Sequence, residues 1–167
     1  MSDIRAALAQ IYRRQAEIAV TNGVFGSDTL TFTVGKVWPI VPPSKVTITT
    51  TPCFVNLVPE SETEFFPSLT RSKFTVNMRL VVHDADIDRA CDIALAFYPQ
   101  IVSKFRANIG LGLAKWSIGA LRTEGEFLRL FEEYTESGGK AYVGLDLFLD
   151  LNWNGGGNNA HGTVPPV

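Results

Sequence analysis

The feature that most constrains the fold is a strict two-residue alternation over residues 141–153. Side chains alternate between the two faces of a β-strand, so this pattern predicts a strand with one face in the core. Phe148 is the large apolar exception on the other face, which makes it a candidate contact with a second subunit. The odd positions are all apolar: Ala141, Val143, Leu145, Leu147, Leu149, Leu151 and Trp153. The even positions are Tyr142, Gly144, Asp146, Phe148, Asp150 and Asn152.

Two further segments have the apolar spacing of amphipathic helices. Apolar residues recur at three, four and seven positions over residues 2–21, which predicts an N-terminal helix. A second helix is predicted from Asp86, with the aspartates of this region capping its first turn. Pro99 is expected to kink or break that helix, and helical spacing resumes until a stop at residues 108–110.

Residues 24–70 alternate between short strand patterns and prolines. Thr- and Val-rich segments at 30–34, 46–51 and 53–58 predict three short strands. The acidic stretch 59–64 predicts an exposed loop. Because proline cannot donate to a sheet ladder, its repeated presence here favours a sheet edge that carries long loops.

Later segments predict an antiparallel sheet. Residues 74–82 alternate apolar with polar side chains, as a half-buried strand does. Residues 110–119 are predicted to be a loop. Residues 126–136 are predicted to be a strand, although the spacing over residues 126–134 also fits a short helix. The Ser-Gly-Gly turn at 137–139 would join this segment to the alternating strand as a hairpin.

Together these elements predict one α+β domain over residues 1–153. Its architecture would be an antiparallel sheet with two helices packed on one face and long Pro-rich loops. A length of 167 residues suits a single domain. Residues 154–167 are rich in Gly, Asn and Pro, and we expect a flexible tail that is dispensable for folding.

Composition excludes several classes of protein. The net charge of −2 argues against a strongly basic nucleic-acid binder. No apolar run approaches the roughly 18 residues that a membrane span needs. The chain starts Met-Ser-Asp-Ile-Arg without a signal-peptide pattern, and its two cysteines match no metal or redox spacing. These observations predict a cytosolic protein with reduced thiols.

Residues suited to catalysis or metal binding are sparse. The chain has two histidines, of which His83 follows a predicted strand and His161 falls in the predicted tail. The alternating Asp84, Asp86 and Asp88 are similar to the start of a calcium loop, but the glycine and the final glutamate of that loop are missing. We therefore expect no enzymatic activity, no metal and no cofactor.

The charge map points instead to self-association. Residues 93–123 carry +4 and contain no acid, whereas residues 124–136 carry −4. Complementary patches on different sides of a domain favour head-to-tail contacts, which close into rings when the rotation permits. The alternative, that the two segments pair within one chain or form scattered surface charge, stays open.

The order of these features is similar to that of a known family. An amphipathic helix, a Pro-rich region, the strand at 74–82, the helix from Asp86 and a hairpin closing with Gly138-Gly-Lys-Ala-Tyr-Val-Gly144-Leu-Asp-Leu follow one another. This chain resembles, over residues 1–153, the tail terminator (tail completion) proteins of long-tailed bacteriophages. The resemblance implies a homohexameric ring that caps the tail tube, ends tail polymerisation and joins the tail to the head.

The resemblance also implies partners and a location. The partners would be other copies of the chain, the tail tube protein, head-tail connector or neck proteins and a sheath terminal ring. Genomic DNA would pass through the lumen without sequence-specific binding, and no membrane is involved. Such a protein is assembled in the host cytoplasm and resides in the virion, at the head-proximal end of the tail.

Two alternatives remain open at this point. The chain is also compatible with a neck or head-completion connector protein, or with a small ligand-binding α+β module whose site lies between helices and sheet. If the chain forms a ring, the charge map and Phe148 supply the candidates for its subunit interface. They are Lys104, Arg106, Lys115, Arg122, Glu124, Glu126, Glu132, Glu133, Glu136 and Phe148.

Overall fold

The computed structural model describes residues 4–22, 30–40, 45–66, 69–134 and 139–156. Within these ranges the chain forms helices α1 (Ile4–Ala16) and α2 (Ile87–Arg106) and a short 3-10 turn at Glu132–Tyr134. Its strands are β1 (Ala19–Asn22), β2 (Leu30–Thr33), β3 (Lys36–Trp38), β4 (Cys53–Phe66), β5 (Leu69–Val82), β6 (Trp116–Leu130) and β7 (Val143–Gly156).

The strands form two sheets. The larger has five strands in the order β3-β4-β5-β7-β6, and all its neighbours are antiparallel except the parallel pair of β3 and β4. A separate antiparallel ribbon joins β1 to β2. The predicted α+β class, with two helices and a mostly antiparallel sheet, is confirmed for the described part of the chain.

The main core lies between the helices and one face of the large sheet. Leu145, Leu147, Leu149 and Leu151 of β7 are all fully buried there, as the alternation predicts. Burying one such side chain contributes about 1.5–3 kcal/mol, so this row is a large share of the folding free energy. The helices cover the row with Ala7 and Ile11 of α1 and with Ala90, Ile93, Ala94, Phe97, Ile101 and Phe105 of α2.

Helix α2 is capped at its start by Asp86 and continues through Pro99. Asp86 is its N-cap, and the carboxylate of Asp86 accepts a hydrogen bond from the backbone N–H of Asp88 at 3.0 Å. The capping interpretation of the aspartates is therefore confirmed. The helix is not broken at Pro99, contrary to one of the two predicted outcomes. Proline removes the hydrogen bond to the carbonyl of Leu95, and both residues are exposed, so water can replace the lost donor.

Helix α1 is shorter than predicted. It ends at Ala16, and the chain turns into β1, where Val20 pairs with Phe32 of β2. The predicted continuation to residue 21 is wrong because the β-branched residues Ile18, Val20 and Thr21 prefer extended backbone.

The acidic segment 59–64, predicted to be a loop, is part of β4. Its backbone pairs with β5 from Glu60 opposite Thr75 to Phe66 opposite Leu69, after a bulge that follows Leu57. Long-range pairing therefore overrides the polar composition of this segment. Conversely, the predicted strand at 46–51 is irregular, and the short parallel strand β3 was not predicted.

Strand boundaries near the last hairpin also differ. β6 already begins at Trp116, inside the predicted loop, and ends at Leu130, before the predicted end. Its pairing of Leu130 with Val143 confirms the hairpin. β7 continues to Gly156, which pairs with Leu69, so the segment predicted as a tail begins in the sheet. Residues 157–167 lie outside the described part of the chain.

Candidate functional site

The face of the large sheet opposite the helices is polar, and we call it the ionic face. Its residues follow from the cross-strand register, which places them on the reverse side of each strand from the core row. They are Lys73, Thr75, Asn77 and Arg79 of β5, Arg122 and Arg129 of β6, and Asp146, Phe148 and Asp150 of β7.

Asp146 is the centre of the first ion-pair cluster on this face. Its Oδ1 accepts from Arg79 Nε at 3.1 Å, and its Oδ2 accepts from Arg129 Nη1 at 2.9 Å. Arg79 Nη1 also donates to Glu133 Oε1 at 2.6 Å. The Asp146 side chain is only 5% exposed and that of Arg79 12%. Two cations balance two anions, which is the condition under which buried charges are tolerated.

The protonation states in this cluster follow from its contacts. Burial alone would lower the pKa of Arg79, but the hydrogen bond to the Tyr134 hydroxyl and the charges of Asp146 and Glu133 raise it. Burial raises the pKa of Tyr134, with Arg79 opposing that change. Arg79 is therefore charged and Tyr134 neutral at physiological pH.

Asp150 is the centre of a second cluster. It accepts a hydrogen bond from Thr75 Oγ1 at 2.8 Å, and its Oδ2 lies 3.4 Å from Lys73 Nζ and 3.5 Å from Arg122 Nε. Burial raises the pKa of Asp150, but the hydrogen bonds from Thr75 and Arg122 and the charges of Arg122 and Lys73 outweigh it. The pKa is therefore lowered overall.

Phe148 lies between these two clusters. It is half-buried, and the Arg122 guanidinium carbon is 5.3 Å from the centroid of its ring. Arg122 also forms an ion pair with Glu124. The side chain predicted to contact a neighbour is thus partly covered by a cation of its own subunit.

A small apolar cluster covers one end of the ionic face. Phe131, Tyr134 and Tyr142 pack there over Cys53 and neighbouring strand residues. Burial raises the pKa of the Cys53 thiol to about 12. Burial and the charges of Asp88 and Asp92 raise that of Cys91. Neither cysteine is therefore a thiolate nucleophile at neutral pH.

The structure separates the predicted interface residues into paired and unpaired ones. Lys104 Nζ is 3.5 Å from Glu17 Oε2 and so links α2 to α1. Arg122, Glu124 and Glu133 belong to the ion pairs of the ionic face. Glu136 lies outside the described residues. Arg106, Lys115, Glu126 and Glu132 have no ion-pair partner among the residues that the structure describes.

Pairing between the basic and the acidic segment is limited. The ion pair of Arg122 with Glu124 is the one such contact in the described part of the chain. The unpaired cations lie near the start of β6, where Lys115 directly precedes Trp116, and the unpaired anions lie near its end. Within the described residues, the unpaired cations and anions therefore lie toward opposite ends of β6, in part on the elements that flank it.

Two concave sites accompany this surface. A cavity of about 300 Å³ lies between α2 and β6, lined by residues that include Val102, Phe105, Arg106 and Ile118. A second cleft of about 280 Å³ is lined by polar side chains, including His83, whose Nδ1 is 2.8 Å from the carbonyl oxygen of Ala141. Among the described residues no three potential ligands are grouped to hold a metal ion.

Sequence reasoning missed the ion-pair clusters. The alternation places Asp146 and Asp150 on the face away from the core but carries no sign of their burial, and both are less than a tenth exposed. The sequence signal for these ion pairs was on β5. Lys73 and Arg79 occupy the alternate positions of this strand that face away from the core. Two strands with opposite charges in their outward positions are the pattern that predicts cross-strand ion pairs.

Comparison with known proteins identifies no family for this chain. No protein-family model matches the chain, and no curated protein matches it. Neither described helix has the length and apolarity that crossing a bilayer requires.

Proposed function

We propose that this chain is a structural virion protein that caps the tail tube of a long-tailed bacteriophage as a homohexameric ring. It would end tail polymerisation there and form the interface that joins tail to head. The proposal combines the resemblance in the order of sequence features with the α+β fold. It involves no catalytic step.

One observation carries the self-association. Arg106 and Lys115 near the start of β6, and Glu126 and Glu132 near its end, lack ion-pair partners among the described residues. Exposed charges of opposite sign toward opposite ends of an edge strand attract a second copy in a head-to-tail arrangement. Such contacts are heterologous, which is the kind that closes into rings.

Electron microscopy of tails assembled in the presence and absence of this protein tests the proposal. We expect tubes of uniform length that end in a ring of density when the protein is present. We expect tubes of variable length with open ends when it is omitted. Light scattering on the purified protein gives the number of subunits in the ring.

Other results would support a different function. Density at the connector rather than at the tube end would indicate a neck or head-completion protein. A monomer whose melting temperature rises with a small molecule would indicate a ligand-binding module. Either result, or tubes unaffected by the protein, would contradict the terminator proposal.

A further inference from the structure

The margin formed by β6 and α2 is the most exposed apolar part of the described surface. β6 is the last strand on its side of the sheet. Five large apolar side chains among the described residues are more than a third exposed, and four of them lie on this margin. They are Leu95, Ile109, Phe127 and Leu130. The cavity between α2 and β6 is lined by residues of this margin, including Ile109.

Charge varies in a fixed order along this margin. Arg106 and Lys115 are at the end where β6 begins, and Glu126 and Glu132 are at the end where it finishes. A partner that packs along β6 must therefore present acid at the first end and base at the second. Like charges placed opposite each other at such a contact cost several kcal/mol.

The opposite margin of the same sheet has the reverse order. The register across β5 and β7 places Glu60 of β4 in the same cross-sheet row as Ala120 of β6, so the two residues are level. In the same way, Glu62 is level with Ser117. These acidic positions are thus level with the basic end of β6. Beyond the short β3, no strand pairs with the outer edge of this part of β4 among the described residues.

The other end of this second margin is basic. Lys36 of β3 is level with Arg129 of β6, and Glu126 and Glu132 lie three residues on either side of Arg129. Lys36 Nζ is 3.6 Å from the ring centroid of Trp38, so it lies against its own strand without a described carboxylate partner.

Within one copy, the strand next to the acidic edge offers fewer basic than acidic positions. Across β5, Arg71 is opposite Glu64 and Lys73 is opposite Glu62. Lys73 Nζ is already 3.4 Å from Asp150 Oδ2. By sequence and backbone register, this stretch of β4 therefore has three acidic positions opposite two basic ones, and Lys73 is shared with Asp150.

We propose that the occupant of the β6–α2 margin is a second copy of this chain, which docks through its β3–β4 margin. Each copy would then extend the sheet of the next, with the two charge orders matched and Leu95, Ile109, Phe127 and Leu130 covered. The inference rests on the proposed function, because a ring requires self-association, and it identifies the two surfaces that meet.

A charge exchange between the two margins tests this pairing. The β6-margin variant is Arg106→Glu with Lys115→Glu, and the β4-margin variant is Glu60→Lys with Glu62→Lys. In sedimentation velocity, each variant alone should associate at least about tenfold more weakly than the wild type. A one-to-one mixture, or one chain carrying all four changes, should recover association. The matched control is Asp92→Lys on the solvent side of α2, which should behave as the wild type.

The outcomes separate this inference from the proposed function. Circular dichroism verifies that each variant is folded. Normal association of either variant alone, or a mixture that does not recover, would overturn the pairing while leaving a ring-forming wild type intact. A wild type that does not associate even with tail tube protein would overturn both.

Discussion

The two faces of the five-stranded sheet are built from alternate residues of the same strands, yet they are stabilised differently. On the helix-covered face, Leu147 is fully buried between helices and sheet. On the ionic face, its neighbour Asp146 is nearly as buried, but it is held by two arginines and linked to a glutamate through Arg79. The apolar face gains its free energy from removing surface from water, and the ionic face only offsets the cost of desolvation.

In the proposed ring the two margins meet, and this difference makes the ionic face the one that we expect to add to their contact, because the other face is covered by helices. Apolar packing is non-directional and tolerates no charge. The more exposed ion pairs of the ionic face, such as that of Arg122 with Glu124, can be exchanged for pairs with another molecule. Phe148, half-buried beside Arg122, is the point on the ionic face where apolar area and charge meet.

The largest effect is expected on the helix-covered face. Leu147→Asp places an unpaired charge in the middle of the core row and should cost about 5 kcal/mol or more, enough to unfold a domain of ordinary stability. Circular dichroism should show loss of the native spectrum. The size-matched Leu147→Met should cost less than about 1.5 kcal/mol. A folded Leu147→Asp would mean that the two faces are not distinct.

The next effect is expected at the centre of the ionic face. Asp146→Ala leaves Arg79 and Arg129 without their shared carboxylate and should cost about 3 kcal/mol, measured by urea unfolding. Glu133→Gln, at the more exposed rim of the same cluster, should cost less than about 1 kcal/mol. Equal losses in the two variants would show that burial does not set the strength of these ion pairs.

How much of this arrangement the sequence predicts depends on the range of the interactions. The alternation of β7, the cap at Asp86 and the hairpin are local patterns, and the structure confirms them. The strand at residues 59–64, the parallel pairing of β3 and the partners of Asp146 depend on residues far away in sequence. A propensity argument evaluates polar residues as if they faced water, so it cannot find a buried carboxylate whose cation lies 67 positions away.

A smaller effect is expected from pH. The pKa of Asp150 is lower in the folded chain than its ordinary value. The stabilisation from its ionised form is therefore fully present above the unfolded-state pKa and is lost as pH falls through the folded-state pKa. In urea unfolding between about pH 6 and about pH 2, Asp150→Asn should lose less stability on acidification than the wild type. Parallel curves for the two proteins would contradict the assigned role of Asp150.

The most direct test of the division between the faces is Phe148→Ser. In the single copy this change removes the contact with Arg122, worth about 1 kcal/mol or less, and the buried part of the ring, worth about 1–2 kcal/mol more, so the domain should stay folded. Sedimentation velocity over a range of concentrations, on samples whose native circular dichroism has been verified, measures its effect on association. The account predicts a native spectrum with association clearly weaker than in the wild type. Unchanged association, or equal loss of folding and association, would contradict the proposal that the helix-covered face maintains the fold while the ionic face adds to the contact made by the two margins.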